Sequence, residues 1–303
     1  MTPEVKGLHH FTAIAGKPTE NAKFYVNVLG MRMVKKTVNH DAPDVYHLFY
    51  GDGEGTPGSS ITFFPGMTDR EGKAGAGMVT ELGLSISEGS IDYWKERLET
   101  EEIDFNEETW HEEETLVFND PDGLKIRLVQ RNDKFKSWDG SEVPEKHQIR
   151  GMSHITLSVN EKDDITPLIE ELGMKSQEDG FYRMEDGSGV KVEETSSRGV
   201  MGTGSVHHVA FKAGEEEDVE KMREKLKSLG LRPSPAISRK YFTSTYARTS
   251  VGILFEFSSM GPGYTADESV EELGTSFVLP ENLQGRREEI LESLPEFKEE
   301  EIK

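Results

Sequence analysis

The chain has 303 residues, among them 57 acidic and 35 basic side chains and no cysteine. The net charge of −22 argues against nucleic acid and anionic membranes as partners, and the lack of cysteine excludes disulfides, thiolate zinc sites and cysteine nucleophiles. With no apolar run of about 18 residues and no signal-peptide pattern at the N-terminus, we expect a cytoplasmic protein without a transmembrane helix.

The first predicted element is a strand in "GLHHFTAIAG", residues 7–16, which carries two adjacent histidines, His9 and His10. A similar stretch, "GMSHITLSV", begins 144 residues later at Gly151, and the triplet "LGM" at 29–31 recurs at 172–174. Two landmarks at nearly the same offset predict that the chain consists of duplicated halves.

Each half divides again. The stretches "MVTELGLSI" (78–86) and "SVHHVAFKA" (205–213) resemble the first strand, and each precedes a helix with apolar residues at helical spacing, predicted over 90–99 and 216–229. The pattern predicts four copies of strand–helix–strand–strand–strand that start near residues 7, 78, 151 and 205. We expect domains at 1–130 and 151–260, a polar linker at 131–150 that contains Pro144, and a helical tail at 261–303.

Several segments resemble the vicinal oxygen chelate superfamily, and within it the ring-cleaving hydroquinone dioxygenases. They are "LHHFTAIAG", "FYVNVLGMRMVKKTVNHD", "YHLFYGDGEGTPGSSITFFP", "HHVAFK" and "RKYFTSTYARTSVGILFEFS", and together they span most of residues 7–260. The resemblance implies an α+β fold of four βαβββ modules in two tandem domains with cup-shaped sheets.

In this fold a pair of modules forms a cup, and each module offers one inward residue from its first strand and one from its last. Alignment on the first strands gives His10, Glu81, His154 and His208; the last strands give Phe63 or Phe64, Arg127, Glu193 and Glu256. Pairing the first module with the fourth joins His10, His208 and Glu256, the two-histidine, one-carboxylate set of non-haem iron oxygenases. The alternative for Glu256 is a buried ion pair with Arg239 or Arg248.

Pairing the second module with the third places Arg127 among the remaining inward residues. A guanidinium stays protonated and is no metal ligand, so we expect this cup to hold an internal ion pair instead of a metal.

The resemblance also implies roles around the metal. His9 and His207 precede the histidine ligands and are expected to act as catalytic acid–base groups, and Tyr246 and Arg239 match the pocket tyrosine and arginine of the family. Strand alternation predicts that Thr12 faces the substrate with His10. The remaining histidines, interpreted as surface or strand residues without a ligand partner, are His40, His47, His111 and His147.

Taken together, these features predict an Fe(II)-dependent dioxygenase, with Mn(II) as the other candidate metal, that cleaves a hydroquinone or catechol-type ring with dioxygen as co-substrate. The expected partner is a small aromatic molecule, with monomer and homo-oligomer both open. Two alternatives remain: a glyoxalase-type metal-dependent isomerase or lyase, and a non-enzymatic binder of the bleomycin-resistance kind.

Overall fold

A computed structural model of the chain describes residues 3–302. Sixteen strands and five α-helices are present in this part of the chain. The strands are β1 (Leu8–Ala15), β2 (Arg32–Asn39), β3 (Ala42–Gly51), β4 (Ser60–Pro65), β5 (Met78–Ile86), β6 (Phe105–Trp110), β7 (Glu113–Asn119), β8 (Lys125–Gln130), β9 (Gly151–Val159), β10 (Lys175–Ser176), β11 (Phe181–Arg183), β12 (Gly189–Glu194), β13 (Val206–Gly214), β14 (Ile237–Ser238), β15 (Phe242–Arg248) and β16 (Leu254–Pro262). The helices are α1 (Pro18–Ala22), which continues as a π-helix over Lys23–Val28, α2 (Ile91–Thr100), α3 (Thr166–Glu171), α4 (Glu216–Ser228) and α5 (Arg287–Ser293).

The elements follow the predicted modular order four times, with one helix between the first and second strand of each module. They assemble into two eight-stranded sheets. The first sheet has the order β14-β15-β16-β13-β1-β4-β3-β2 and joins the first module to the fourth; the second has the order β10-β11-β12-β9-β5-β8-β7-β6 and joins the third to the second. The predicted α+β fold and module pairing are therefore confirmed, while the domain boundaries at 130 and 150 remain predictions.

Both sheets share one internal register. In the first sheet, β1 runs antiparallel to β13, with Thr12 opposite His208, and β13 runs parallel to β16, with Ala210 beside Glu256. In the second, β5 and β9 pair in the same way, with Gly83 opposite His154. The two innermost strands of each sheet therefore bring residues from two modules to the centre of one cup.

The helices cover the apolar faces of the sheets. Helix α4 begins with a capping box between Glu215 and Asp218, buries Val219, Met222 and Leu226, and ends before Gly230, whose φ of +83° reverses the chain. These buried side chains belong to the same apolar core as the strand residues of both sheets.

The tail packs on β2 of the first sheet. The predicted helix over "DESVEELG" is instead a series of turns, and the later helix is limited to α5 after a 3₁₀ segment at Glu281–Arg286. The turns are held by the buried Lys35, whose Nζ donates to Asp267 Oδ1 at 2.7 Å and also contacts Glu268. A buried ammonium needs such carboxylates, so tertiary ion pairs replace helical hydrogen bonds here. Within residues 3–302, none of the helices has the length and apolar character needed to cross a membrane.

Candidate metal centre

Three side chains from three strands meet at the centre of the first sheet. The Nε2 atoms of His10 on β1 and His208 on β13 lie 3.2 and 3.0 Å from Glu256 Oε2 on β16. All three residues are buried, and their ligand atoms lie within 4.8 Å of one another. The structure thus brings together the three predicted metal ligands, although they are separated by up to 246 positions in the chain.

The donor atoms are arranged to face a cation. Glu256 Oε2 is buried and has no hydrogen-bond partner among the described residues, even though two imidazole nitrogens lie beside it. Burial disfavours the ionised carboxyl group, but the two histidines more than offset this and hold the pKa of Glu256 well below its ordinary value. A buried carboxylate oxygen without a hydrogen bond is costly, and a divalent cation between the three atoms would relieve that cost. The residues therefore fit a metal ion.

His9 fixes the proton on His10. His9 Nε2 lies 3.0 Å from the carbonyl oxygen of Ser259, which can only accept, so this nitrogen carries the hydrogen. Burial and the neighbouring His10 lower the pKa of His9 to about 3, so its ring is neutral and its Nδ1 is bare. His10 Nδ1, 2.9 Å away, must then donate to His9, which leaves the lone pair of His10 on Nε2, the atom that faces Glu256.

The second histidine pair repeats this contact on the other side of the centre. His207 Nδ1 lies 2.8 Å from His208 Nδ1, and burial together with His208 and Arg248 lowers the pKa of His207 to about 4. If His208 binds a cation through Nε2, its Nδ1 donates to His207. The remaining proton of His207 is then on Nε2, where this half-buried, cavity-lining residue can donate it to a ligand.

A polar relay holds the other oxygen of the carboxylate. Glu256 Oε1 accepts hydrogen bonds from the Tyr246 hydroxyl at 2.9 Å and the Ser258 hydroxyl at 3.1 Å. Tyr246 in turn accepts from Arg239 Nε at 3.0 Å, and Arg239 Nη2 lies 3.3 Å from Asp41 Oδ2. Tyr246 and Arg239 therefore act on the carboxylate in series, and Glu256 does not form the buried ion pair with Arg239 or Arg248 that was the alternative.

A cavity of about 450 Å³ opens next to the centre. We call it the front cavity; it is lined by the three ligands and by Asn39, His40, Asp41, Ala42, His47, Phe49, Phe64, Met67, His207, Arg239, Tyr241, Phe242, Tyr246 and Leu254. Most of this wall is aromatic or aliphatic, which suits a planar, largely apolar ligand.

Two predicted site residues do not line the front cavity. His9 lies behind His10, where its ring packs on Phe242. Thr12 is fully buried, and its hydroxyl is 2.8 Å from the hydroxyl of Thr62. Thr12 lies beside Thr62 of the neighbouring strand β4 and outside the wall of the front cavity, so its contact with a substrate remains a prediction.

Two last-strand positions also differ from the sequence alignment. Glu256 in β16 pairs with the residue that lies two positions after His208 in β13. The residues that pair with the positions two after His10 and two after His154 are Thr62 in β4 and Lys191 in β12. The register therefore gives Thr62 and Lys191 at these positions instead of Phe63 or Phe64 and Glu193; Phe64 still faces the front cavity, whereas Glu193 is exposed. The fourth corner of the metal centre is therefore a threonine, and no carboxylate occupies it.

Two histidines that the sequence did not connect with the site line its cavity. His47 lines the front cavity, with its Nε2 2.9 Å from the Thr62 hydroxyl and its ring packed between Phe49 and Phe64. His40 lies at the cavity wall as well, on the turn that joins β2 and β3. The alternation of "VYHLFY" in β3, which puts His47 and Phe49 on one face, was the available signal.

The centre of the second sheet is an ion-pair cluster. Glu81 accepts from Arg127 Nε at 3.0 Å and Nη2 at 3.1 Å, and it also contacts Lys125 Nζ at 2.7 Å and His154 Nε2 at 3.3 Å. Trp110 stacks on His154, with ring centroids 4.6 Å apart, and lies against the Arg127 guanidinium. The expected internal ion pair is present, and an aromatic side chain covers it.

Comparison with known proteins agrees with this architecture. Residues 7–128 and 136–257 match the family model described as the Glyoxalase/Bleomycin resistance protein/Dioxygenase superfamily. A Bacillus subtilis (strain 168) protein named "Putative ring-cleaving dioxygenase MhqE" is 38% identical over 303 residues, which cover 97% of this chain and 100% of the relative. The chlorohydroquinone/hydroquinone 1,2-dioxygenase of Sphingobium indicum is 30% identical, with 97% of each chain covered.

Solved structures give the same result. A crystal structure of a "putative dioxygenase" from Bacillus subtilis superposes with a TM-score of 0.94 at 35% identity and 98% coverage of both chains. Glyoxalase I from Zea mays shares the fold at 15% identity, with a TM-score of 0.60 and coverage of 89% of this chain and 96% of the other. The chain therefore belongs to the Glyoxalase/Bleomycin resistance protein/Dioxygenase superfamily, in the branch whose curated members carry the name ring-cleaving dioxygenase.

Proposed function

We propose that the protein is an Fe(II)-dependent dioxygenase that opens the ring of a hydroquinone or catechol-type diol, in the catabolism or detoxification of aromatic compounds. The observation that carries the proposal is the buried set His10, His208 and Glu256 at one end of a mainly apolar cavity, without a fourth protein carboxylate. The names of the relatives at 30–38% identity support the same reaction class.

The three ligands would hold Fe(II) or, in the same mixed nitrogen and oxygen environment, Mn(II). When bound, such an ion supplies adjacent open positions for a diol oxygen and dioxygen and a route for electrons between them. The protein keeps those positions open because the fourth corner is Thr62, whose hydroxyl is already engaged by Thr12 and His47.

The cavity wall would bind and orient the aromatic ring. Phe64, Phe242 and Leu254 offer apolar surface next to the ligand atoms, and Phe49 extends this surface further along the cavity wall. Burial of an aromatic ring against such side chains is favourable and excludes water from the reacting atoms.

Polar side chains around the ligands would transfer a proton and would orient the ligand side chains. His207 holds a proton on Nε2 within the cavity wall and is the group placed to exchange it with a diol oxygen. His9 has a positioning role, because it sets the tautomer of His10 from behind. Arg239 and Tyr246 keep the Glu256 carboxylate oriented from the other side.

A glyoxalase-type isomerase is the nearest rival on this fold. That chemistry calls for a carboxylate as proton-abstracting base or fourth ligand, and Thr62 supplies neither. A binder without catalytic activity would have no need of three converging buried ligand atoms.

The proposal is tested by anaerobic reconstitution with Fe(II), followed by oxygen uptake with a panel of hydroquinones and catechols. We expect uptake of one dioxygen per ring opened, dependent on Fe(II) or Mn(II). A reconstituted protein that consumes no oxygen with any such diol, yet isomerises glutathione hemithioacetals, would show that the rival is correct.

A further inference from the structure

A second cavity lies directly behind the metal centre. We call it the rear cavity; it has a volume of about 280 Å³ and shares three wall residues, His207, His208 and Leu254, with the front cavity. It lies at the seam where β13 of the first sheet meets β5 of the second, and its remaining wall comes from residues 76–79, 198, 199, 201, 206, 248 and 251–253. The side chains of His207, His208 and Leu254 therefore form the partition between the two cavities.

The rear cavity is positively charged in a strongly acidic protein. Arg198 and Arg248 line it, and its described wall contains no aspartate or glutamate, although the whole chain carries a net charge of −22. Both side chains are exposed, and neither has a carboxylate within 4.0 Å in residues 3–302; Arg248 Nη1 donates to the carbonyl of Gly252 at 2.7 Å. Two arginines without carboxylate partners at one cavity are suited to an anion.

The outer wall of the rear cavity is a built structure. The glycine-rich stretch 72–77 pairs with residues 197–203, with Lys73 and Val200 exchanging two backbone hydrogen bonds of 2.8 Å. A side chain at Gly75 would place its Cβ 2.5 Å from the backbone nitrogen of Gly199, so the close approach requires glycine. This explains the "GKAGAGM" stretch, which the metal centre leaves without a role.

We propose that the rear cavity binds the carboxylate of the ring-opened product and is its route of departure. The inference rests on the proposed function. Insertion of both atoms of dioxygen between a hydroxyl-bearing ring carbon and its neighbour breaks that carbon–carbon bond, oxidises the two carbons and reduces dioxygen. All atoms are retained in a product with a carboxylic acid and an aldehyde, and the acid loses its proton to solvent at neutral pH.

The two cavities match the two charge states of this reaction. The uncharged diol fits the mainly apolar front cavity, whose charged wall groups include Asp41, Glu256 and the opposing Arg239. The anionic product gains charge-assisted contacts beside Arg198 and Arg248, where the described wall has no carboxylate to compete for them. The same wall residue, His207, separates the two environments.

The test is equilibrium binding of cis,cis-muconate, a six-carbon dicarboxylate without a phenol, to the Fe(II)-loaded protein under anaerobic conditions. We expect Arg198→Gln and Arg248→Gln each to weaken binding about fivefold, and the double variant more, because each removes one charge-assisted contact. Arg232→Gln, an exposed arginine outside both cavities, is the matched control and should not change the affinity. Removal of the metal should leave the arginine-dependent binding in place.

Kinetics separates this inference from the proposed function. Product inhibition of oxygen uptake should weaken in the double variant, while the KM for the diol stays unchanged. The inference is wrong if the protein takes up oxygen with a diol but its muconate affinity and product inhibition are the same in the wild-type protein and in the double arginine variant. The proposed dioxygenase activity would be unaffected by that result. If no diol supports oxygen uptake, the proposed dioxygenase activity is wrong, whether or not muconate binds.

Discussion

The two sheets are built from the same module pair but differ in what their centres hold. In the first sheet, two imidazoles and the carboxylate of Glu256 converge; in the second, the position equivalent to Glu256 is Arg127, and the carboxylate comes from Glu81 on the neighbouring strand β5. Fixed positive charge at that one position repels a divalent cation, so the same fold makes a metal centre on one side and an internal ion pair on the other.

The difference extends to the space in front of each centre. Trp110 lies over His154 and Arg127 in the second sheet, whereas the first sheet leaves about 450 Å³ open beside its ligands. A metal centre in this fold therefore needs two features together: a set of ligand side chains that contains no arginine, and an open cavity in front of it. Loss of either one converts a site into a structural element.

The largest expected effect concerns metal content. Glu256→Ala and His208→Ala should abolish metal binding, since each removes one of three ligands, while His154→Ala should leave one equivalent bound per chain. Metal analysis of the reconstituted proteins measures this directly. Two equivalents in the wild-type protein, or loss of metal in His154→Ala, would mean that the second sheet also binds metal.

The second prediction concerns stability and the ion pair. Glu81→Gln should lower the free energy of unfolding by about 3–5 kcal/mol, because it leaves the buried Arg127 without its main carboxylate. Urea unfolding of the metal-free protein provides the measurement.

Glu108→Gln is the matched control for that variant. Glu108 contacts the same guanidinium at 2.8 Å, but its side chain is 44% exposed. We expect a loss below about 1 kcal/mol, as for surface pairs in general. If both variants lose the same free energy of unfolding, the burial of Glu81 does not strengthen its ion pair with Arg127.

The third prediction addresses the support of the ligands. Tyr246→Phe should retain the metal but lower turnover about 10–100-fold, because Glu256 loses a hydrogen-bond donor and Arg239 loses its acceptor. His207→Ala should likewise keep the metal and lower turnover, through loss of the proton-carrying group. Metal content and steady-state oxygen uptake, measured on the same preparations, distinguish support from ligation; a metal-free Tyr246→Phe protein would contradict the assignment.

The fourth prediction concerns a contact between the first and second modules. Asp120, between β7 and β8, accepts from the Tyr25 hydroxyl at 3.1 Å, and burial raises its pKa to about 7. Because the folded protein holds this proton more tightly than the unfolded chain, the contribution of Asp120 is complete below about pH 4 and is lost as the pH rises towards 7.

Stability should therefore fall with pH in that interval by at most about 1.4 kcal/mol per pH unit from this residue. Asp120→Asn, which has no proton to lose, should remove the slope. Urea unfolding of both proteins between pH 4 and 7 gives the difference directly, and parallel curves would show that Asp120 does not hold a proton in the folded state.

The three predicted metal ligands could be identified from the sequence, but some of the residues around them could not. His10, His208 and Glu256 could be predicted because histidines are rare in this chain and a lone glutamate in an apolar strand is costly. Thr62 and Lys191 were missed because parallel pairing of the first and last strands in a module depends on the intervening chain, and a slip of one residue reverses the face.

Two other features needed tertiary information. The His9 contact with the Ser259 carbonyl joins positions 250 apart, which no local pattern encodes. The rear cavity depends on backbone approach between 72–77 and 197–203, and the sequence shows only that both stretches are rich in glycine.

The central pairing of β1 with β13 has a consequence for biosynthesis. At roughly 5–20 residues per second, about ten to fifty seconds separate the emergence of His10 from that of Glu256 on the ribosome. Before β13 (Val206–Gly214) emerges, one edge of β1 stays unpaired for most of this interval, while the second sheet receives its last strand, which ends at Glu194, first. An open edge of this kind is prone to pair with other chains, and the protein can acquire its metal only after that exposed stage has passed.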